Sequence, residues 1–173
     1  MTANECIRGR RSIRKYQDTP VPRETVDRIL EAARLSPSWC NRQCHRYIVV
    51  SDPEKRSMLG ELIDNPSKAC YETAPYAIVL CADSTDSGFN SGKEYYLVDC
   101  GISMEHVVLA ATAEGLGTCW VGYFPENPVR NLLGIPQDVR VVAVTPLGVP
   151  AEAPKPRPRL PLENIVFEDG WQR

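Results

Sequence analysis

The stretch from Tyr95 to Glu114 constrains the fold more than any other part of this sequence. Leu97, Cys100, Met104, Val107, Val108 and Ala111 keep helical spacing there, small residues lie between them, and charges are few. Such a helix cannot be wetted all round, so the pattern predicts a central, largely buried helix around which the other elements must be layered. Gly115-Leu116-Gly117 stops it.

The flanking segments supply those layers. Thr2 to Gly9 suits a short helix leading into the basic stretch Arg8-Gly9-Arg10-Arg11. A clearer helix starts at Pro22, with Val26, Ile29, Leu30 and Ala33 on one stripe and Glu24 and Arg28 in favourable i,i+4 order. Ser36-Pro37-Ser38 ends it, because the residue before a proline avoids the helical region. Tyr47 to Val50, Tyr76 to Cys81, Thr118 to Tyr123 and Val139 to Leu147 read as strands. Asp52-Pro53-Glu54 opens a helix to about Asp64, and Asn127 to Leu133 forms a short one capped by Gly134. Asp83 to Gly92 reads as a loop. Strands alternating with helices predict one α+β layered domain over residues 1–173.

The tail, residues 150–173, is rich in prolines through Pro161 yet carries Leu160, Leu162, Ile165, Val166, Phe167 and Trp171. It cannot form a regular helix in its first half, and its apolar residues must pack on their own domain or on a partner.

Charge narrows the function. Twenty basic residues against twenty-two acidic ones give a net charge of −2, which offers no bulk attraction to nucleic acid or to an anionic membrane. No apolar run approaches the roughly 20 residues that span a bilayer. The polar start, Met1 to Arg11, is unlike a secretion signal. The seven cysteines are odd in number, so the expectation is reduced thiols in a cytoplasm. Cys40, Cys44 and His45 are the nearest approach to a metal-ligand cluster, but no second pair follows at structural-zinc spacing, and no metal is predicted.

Three segments carry candidate chemistry. Arg10-Arg11-Ser12-Ile13-Arg14 joins guanidinium forks to a hydroxyl, a suitable set for a phosphate of roughly −1.5 to −2 charges; a solvated basic segment is the plainer alternative. In Lys155-Pro156-Arg157-Pro158-Arg159 the prolines hold the chain extended, so that Arg157 and Arg159 project to one side. Ser36 to Gln43 is a loop rich in hydroxyl, amide and backbone groups that could bond a heterocycle, or could simply end a helix. Neither GxGxxG in strand-to-helix order nor a Walker A sequence is present, so a cofactor phosphate must be held by side chains and loop amides.

Taken together these segments resemble the nitroreductase family of FMN-dependent flavoproteins over nearly the whole chain. Arg10-Arg11-Ser12-Ile13-Arg14, Pro37-Ser38 through Asn41 and Gln43, Asp99 to Phe124, and Arg157 to Glu163 resemble its motifs in order and spacing. The resemblance implies a central, mainly antiparallel sheet flanked by helices, in an intertwined homodimer with FMN at the interface and the tail wrapped around the partner. It also implies roles. Arg10, Ser12, Arg157 and Arg159 would meet the ribityl phosphate, with Arg11 in the same motif. Arg14 would lie at the pyrimidine edge of the ring, where a fixed cation favours the reduced form. Pro37, Ser38, Asn41 and Gln43 form the second motif, from which Ser38 and Asn41 would reach the ring of the other subunit. Val121 and Gly122 would run beside the reactive ring nitrogen. The implied activity is ping-pong transfer of reducing equivalents from NAD(P)H to a small nitroaromatic, quinone or similar acceptor, with no protein acid or base in the chemical step.

The chain departs from that pattern in places. Gln43-Cys44-His45 stands where the family commonly has Gln-Pro-Trp, and Trp39-Cys40 where small residues are usual. Trp39 either lines the substrate pocket or packs the interface. His106 reads as a packing or surface residue, and no acid is placed to orient a Cys44–His45 dyad. A flavin-holding protein with little turnover is the rival function, and a metal-binding module on Cys40, Cys44 and His45 is a weaker one.

Overall fold

In the computed structural model, which describes residues 1–63 and 68–171, the elements in chain order are α1 (Ala3–Gly9), α2 (Arg23–Arg34), β1 (His45–Val50), α3 (Pro53–Leu62), α4 (Lys68–Thr73), β2 (Tyr76–Asp83), β3 (Phe89–Asn90), β4 (Lys93–Glu94), α5 (Tyr95–Ala113), β5 (Gly117–Thr118), α6 (Glu126–Leu133) and β6 (Val139–Gly148). Four strands form one sheet in the order β1-β2-β6-β5, each neighbouring pair antiparallel.

β2 shows why the sheet has a layer on each side. Strand side chains alternate between faces, so Ala77, Val79 and Cys81 pack with Leu59, Ile63, Tyr71 and Val129, while Ile78, Leu80 and Ala82 pack with Val26, Ile29, Met104 and Val107. Each fully buried Ile or Leu contributes roughly 1.5–3 kcal/mol. The strand pairing contains one irregularity: Leu80 faces Ala143 but Cys81 faces Val141, leaving Val142 as an extra residue. This bulge re-phases β6, so that Val141 and Val144 join the first cluster and Ala143 and Leu147 the second.

Local signals account for the helix ends. Thr2 caps α1 in a capping box with Glu5, Asp52 accepts from the Lys55 N–H at the start of α3, and Gly134 closes α6 in the left-handed region at φ 66°. Arg28, however, does not turn to Glu24. It grips Glu114 through two bonds of 2.8 and 2.9 Å, tying α2 to the end of α5.

Several expectations are corrected. The helix opened by Asp52 ends at Leu62; Asp64 lies outside the described residues. α4 was not anticipated, being too short to show a period. The loop from Asp83 contains a 3-10 turn at Ser84–Asp86 and a small hairpin whose Ser91-Gly92 turn has φ of 52° and 78°. The strand expected over 118–123 pairs continuously only at Gly117–Thr118, because the Cys119 N–H bonds the Thr145 hydroxyl (2.9 Å); backbone pairing resumes at Val121. Above all, α5 is buried along one side only. Tyr96, Cys100, Met104 and Val107 face α2 and the sheet, but Leu97, Val98 and Ile102 remain 50%, 50% and 37% exposed.

The tail packs even less. Its one regular feature is a 3-10 turn at Leu162–Asn164, and every residue from 155 to 166 is exposed. No helix among the described residues is long and apolar enough to cross a membrane.

Candidate functional site

The basic N-terminal segment is laid out by β5. The Ile13 N–H donates to the Thr118 carbonyl (2.8 Å), and Ser12 bridges Thr118 in parallel register. Ile13 turns into the core and rests on Gly117, where an added Cβ would come within 2.8–2.9 Å of its side chain. Extended backbone then sends Ser12 and Arg14 to the other side. The two glycines after α5 thus have separate duties: Gly115 turns the chain at φ 75°, and Gly117 admits Ile13.

The start of the tail zips onto the same segment. The Gln17 N–H donates to Val149 O (2.9 Å), the Ala151 N–H to Lys15 O (2.9 Å), and the Arg14 N–H to the Glu152 carboxylate (2.5 Å). The chain then runs over α1, closing a cavity of about 590 Å³. Arg8, Arg10, Arg11, Ser12 and Arg14 line it from one end of the sequence, Lys155, Arg157 and Arg159 from the other, and no carboxylate is among its lining residues.

The cations are not equivalent. Arg11 folds back to donate to the carbonyls of Arg8 (2.8 Å) and Arg10 (2.7 Å), so one of its nitrogens caps α1. Arg10 has only a loose, half-exposed ion pair with Glu105 at 3.8 Å, of a kind worth little. In the core cluster that Ile13 joins, burial pushes the Tyr16 and Tyr71 hydroxyls and the Cys119 thiol up; at Cys119 the charges of Arg14 and Arg10 oppose that rise.

The second predicted cluster lies elsewhere. Pro37, Ser38, Asn41 and Gln43 form an exposed or half-exposed loop after α2, and none lines the basic cavity. Cys40, Asn41 and Gln43 all have positive φ, of 47°, 55° and 53°, a conformation that persists only where surroundings impose it. Here the Ser38 hydroxyl accepts from the Gln43 N–H (2.9 Å), and the buried Asp99 of α5 accepts from the Trp39 N–H (2.8 Å), the Cys44 thiol (3.5 Å) and the Ser87 hydroxyl (3.1 Å). Asp99 went unassigned in the sequence as an organising residue. An acid beside Cys100 on the apolar stripe of α5 was the available signal, since a buried carboxylate must be bonded.

The adjacent thiol is held protonated and the imidazole neutral. Burial, then the charge of Asp99, push Cys44 up to about 11, and burial with Arg46 holds His45 below its ordinary value. Among the described residues no group of three or more His, Cys, Asp or Glu side chains is placed to hold a metal ion. His106 bonds the Ala32 carbonyl (3.1 Å) and packs α5 on α2.

Val121 is paired with β6. Its N–H donates to Val144 O and its carbonyl accepts from the Val144 N–H, both at 2.9 Å, so it has no free donor for a ring. Gly122, exposed and beside a smaller cavity with Tyr96 and Arg140, makes no such pairing among the described residues.

The model of the Nitroreductase family matches residues 7–78 and 64–149. The chain belongs to the nitroreductase family. A protein of Methanothermobacter thermautotrophicus, provisionally named NADH dehydrogenase/NAD(P)H nitroreductase, is 37% identical over 172 residues, covering 97% of this chain and 87% of its own. The FMN reductase [NAD(P)H] of Bacillus subtilis is 32% identical over 97% of this chain and 74% of its own. Among solved structures, the NADPH:FMN oxidoreductase of Vibrio harveyi complexed with NAD+ superposes with a TM-score of 0.89 at 30% identity, covering 99% of this chain and 78% of that one. The four-stranded antiparallel sheet between helical layers is accordingly the nitroreductase fold.

Proposed function

We propose that this nitroreductase-family chain is an FMN-dependent oxidoreductase that passes reducing equivalents from NAD(P)H to a small acceptor such as a nitroaromatic or quinone. One observation carries the reading: cations from both ends of the chain surround one cavity that has no acid in its lining. A phosphate dianion fits that set of donors, as charge-assisted and forked bonds require. The names of the similar Bacillus subtilis and Vibrio harveyi proteins support FMN as its bearer and NAD(P)H as donor.

In this reading Arg10, Ser12, Arg157 and Arg159 hold the phosphate, Arg11 braces the end of α1 beside it, and Arg14 presents a fixed cation toward the ring. Gly122 rather than Val121 supplies a backbone N–H. FMN, when bound, takes electrons from the nicotinamide and yields them to the acceptor in a ping-pong cycle; the chain contributes position, charge and exclusion of water.

Pro37, Ser38, Asn41 and Gln43 lie outside the cavity, so their part is assigned to the ring bound by a second copy. A homodimer is supported by three surfaces open in the single chain: the apolar face of α5, the outer edge of β1, and the tail. Residues 150–173 would wrap the partner, in an interface of about 2,000–5,000 Å². The odd number of cysteines, seven, favours reduced thiols in a cytoplasm.

The test is direct. Purified protein should be yellow, and its visible bands should bleach with NAD(P)H; a colourless protein that takes up no added FMN removes the proposal. Repeated NAD(P)H oxidation with added quinone separates an enzyme from a passive flavin carrier.

A further inference from the structure

Another cavity, of about 570 Å³, opens between the end of α2 and the start of β1. Leu30 and Arg34 line it from α2, Arg42 and Gln43 from the connecting loop, and His45, Arg46 and Tyr47 from β1. It shares no lining residue with the basic cavity, and like that cavity it has no carboxylate in its wall. Its cations are held in place without being used up. Arg34 gives Nε and Nη2 to Glu31, both at 2.7 Å, and keeps Nη1. Arg46 spends Nη1 on the carbonyls of Gln43 (2.7 Å) and His45 (3.0 Å) and Nη2 on Asp86 (3.3 Å), and keeps Nε. Among the described residues the Arg42 side chain has no hydrogen bond or ion pair at all. Both ion pairs are exposed, so little is lost when an anion competes for the arginines.

His45 supplies an independent sign. It is only 8% exposed, and its Nδ1 is buried without a hydrogen-bond partner, an uncommon state for a polar atom inside a fold. No bond fixes which ring nitrogen carries the proton, so the neutral imidazole can place it on the side of an occupant. The Tyr47 ring stands 5.8 Å away, ring centre to ring centre, and with Leu30 gives the cavity an apolar side; its hydroxyl is already bonded to Ser103. At His45 the chain also departs from the Gln-Pro-Trp pattern, and an imidazole fills less room than an indole. Forked guanidinium donors suit a phosphate group, and a space this large holds more than the phosphate alone. We infer that the cavity is a second anion site, for a small organic phosphate: Arg34, Arg42 and Arg46 take the phosphate, His45 donates to it, and the body of the molecule lies on Leu30 and Tyr47. None of the residues that would meet the phosphate belongs to those assigned to FMN, so the site stands apart from the cofactor reading.

The chain has only two histidines, His45 and His106, so ring-nitrogen NMR signals of the full-length protein report the site directly. The protein is first saturated with FMN, and inorganic phosphate, phenyl phosphate and benzoate are then titrated separately, with flavin absorbance showing that the cofactor stays bound. Both phosphates should shift the His45 signals to saturation and leave those of His106 in place. Phenyl phosphate should bind about tenfold more tightly than inorganic phosphate, as expected when an apolar ring settles on Leu30 and Tyr47. Benzoate, which has the ring but one charge, should bind more weakly than phenyl phosphate. R42Q, changed at an exposed side chain and with an unaltered melting temperature, should weaken phenyl phosphate about tenfold through loss of a charge-assisted bond. Silent His45 signals, an equal response at His106, benzoate binding as tightly as phenyl phosphate, or an unchanged affinity in R42Q each overturns the site and leaves the cofactor reading intact. A protein that takes up no FMN is titrated in the same way: there the same His45 response upholds the site while the cofactor reading falls.

Discussion

β6 and the tail that follows it are neighbours in sequence, both carry large apolar residues, and they are opposite in surroundings. β6 has β2 on one edge, β5 on the other and a packed layer on each face, so Ala143, Val144 and Leu147 are fully buried. Among the described residues, the tail is hydrogen-bonded to the rest of its subunit only as far as Ala151 and Glu152, after which Leu160, Leu162, Ile165, Val166 and Trp171 are all more than half exposed. Apolar content therefore does not say whose core a segment joins. β6 is completed within one chain; in the proposed homodimer the tail, like the outer face of α5, is completed by another.

The comparison can be broken most sharply at the tail. Ile165→Asp with Val166→Asp places charges where each lost side chain had contributed roughly 1.5–3 kcal/mol if buried by a partner. The expected outcome is dissociation in analytical ultracentrifugation with loss of FMN, and a variant that stays dimeric would assign the tail to the surface. Leu147→Ala tests the enclosed side: a fully buried leucine should cost about 2–5 kcal/mol in urea unfolding, at any protein concentration. Arg159→Ala touches neither core. It should weaken FMN binding by about 1.5–3 kcal/mol in a fluorescence titration, with the apoprotein's melting temperature unchanged.

A subtler check uses the ion pairs that anchor β6. Burial works to raise the Glu126 carboxyl, but hydrogen bonds from Arg140 and the Val141 N–H, with the charges of Arg140 and Arg130, outweigh it and hold the group below its ordinary value. A depressed carboxyl contributes stability above its unfolded-state value and loses it as pH falls through the folded-state value. Glu126→Gln should accordingly cost about 1–2 kcal/mol at pH 7, and the gap from wild type should close below about pH 4. The smallest effect is expected at Trp171, which meets Phe167 at 4.8 Å between ring centres. Trp171→Ala should speed proteolysis within residues 153–171 while moving the unfolding free energy by less than about 0.5 kcal/mol.

Much of the fold was legible where the signal is local. The stripe of Val26, Ile29 and Ala33, the Asp52-Pro53 start, the Gly134 stop and the β-branched run of β6 each depend on a few adjacent residues. Thr118 to Tyr123 misled because its pairing is interrupted by a side chain 26 positions away, Thr145. Helical spacing in α5 foretold a buried stripe but not that Leu97, Val98 and Ile102 would be left uncovered. In the candidate site, the arginine-rich ends could be read directly, whereas Asp99 and the spent N–H of Val121 could not, since each depends on what stands opposite.

The amino-acid sequence by itself determined the type of most elements and gathered the positive charge into two terminal segments, because propensity, capping and alternation act over a handful of residues. Only the tertiary structure decided that those segments share one cavity. Arg14 meets Glu152 across 138 positions, a contact that exists because β5 pairs with both Ser12 and β6, and so lays the start of the tail along the N-terminal segment.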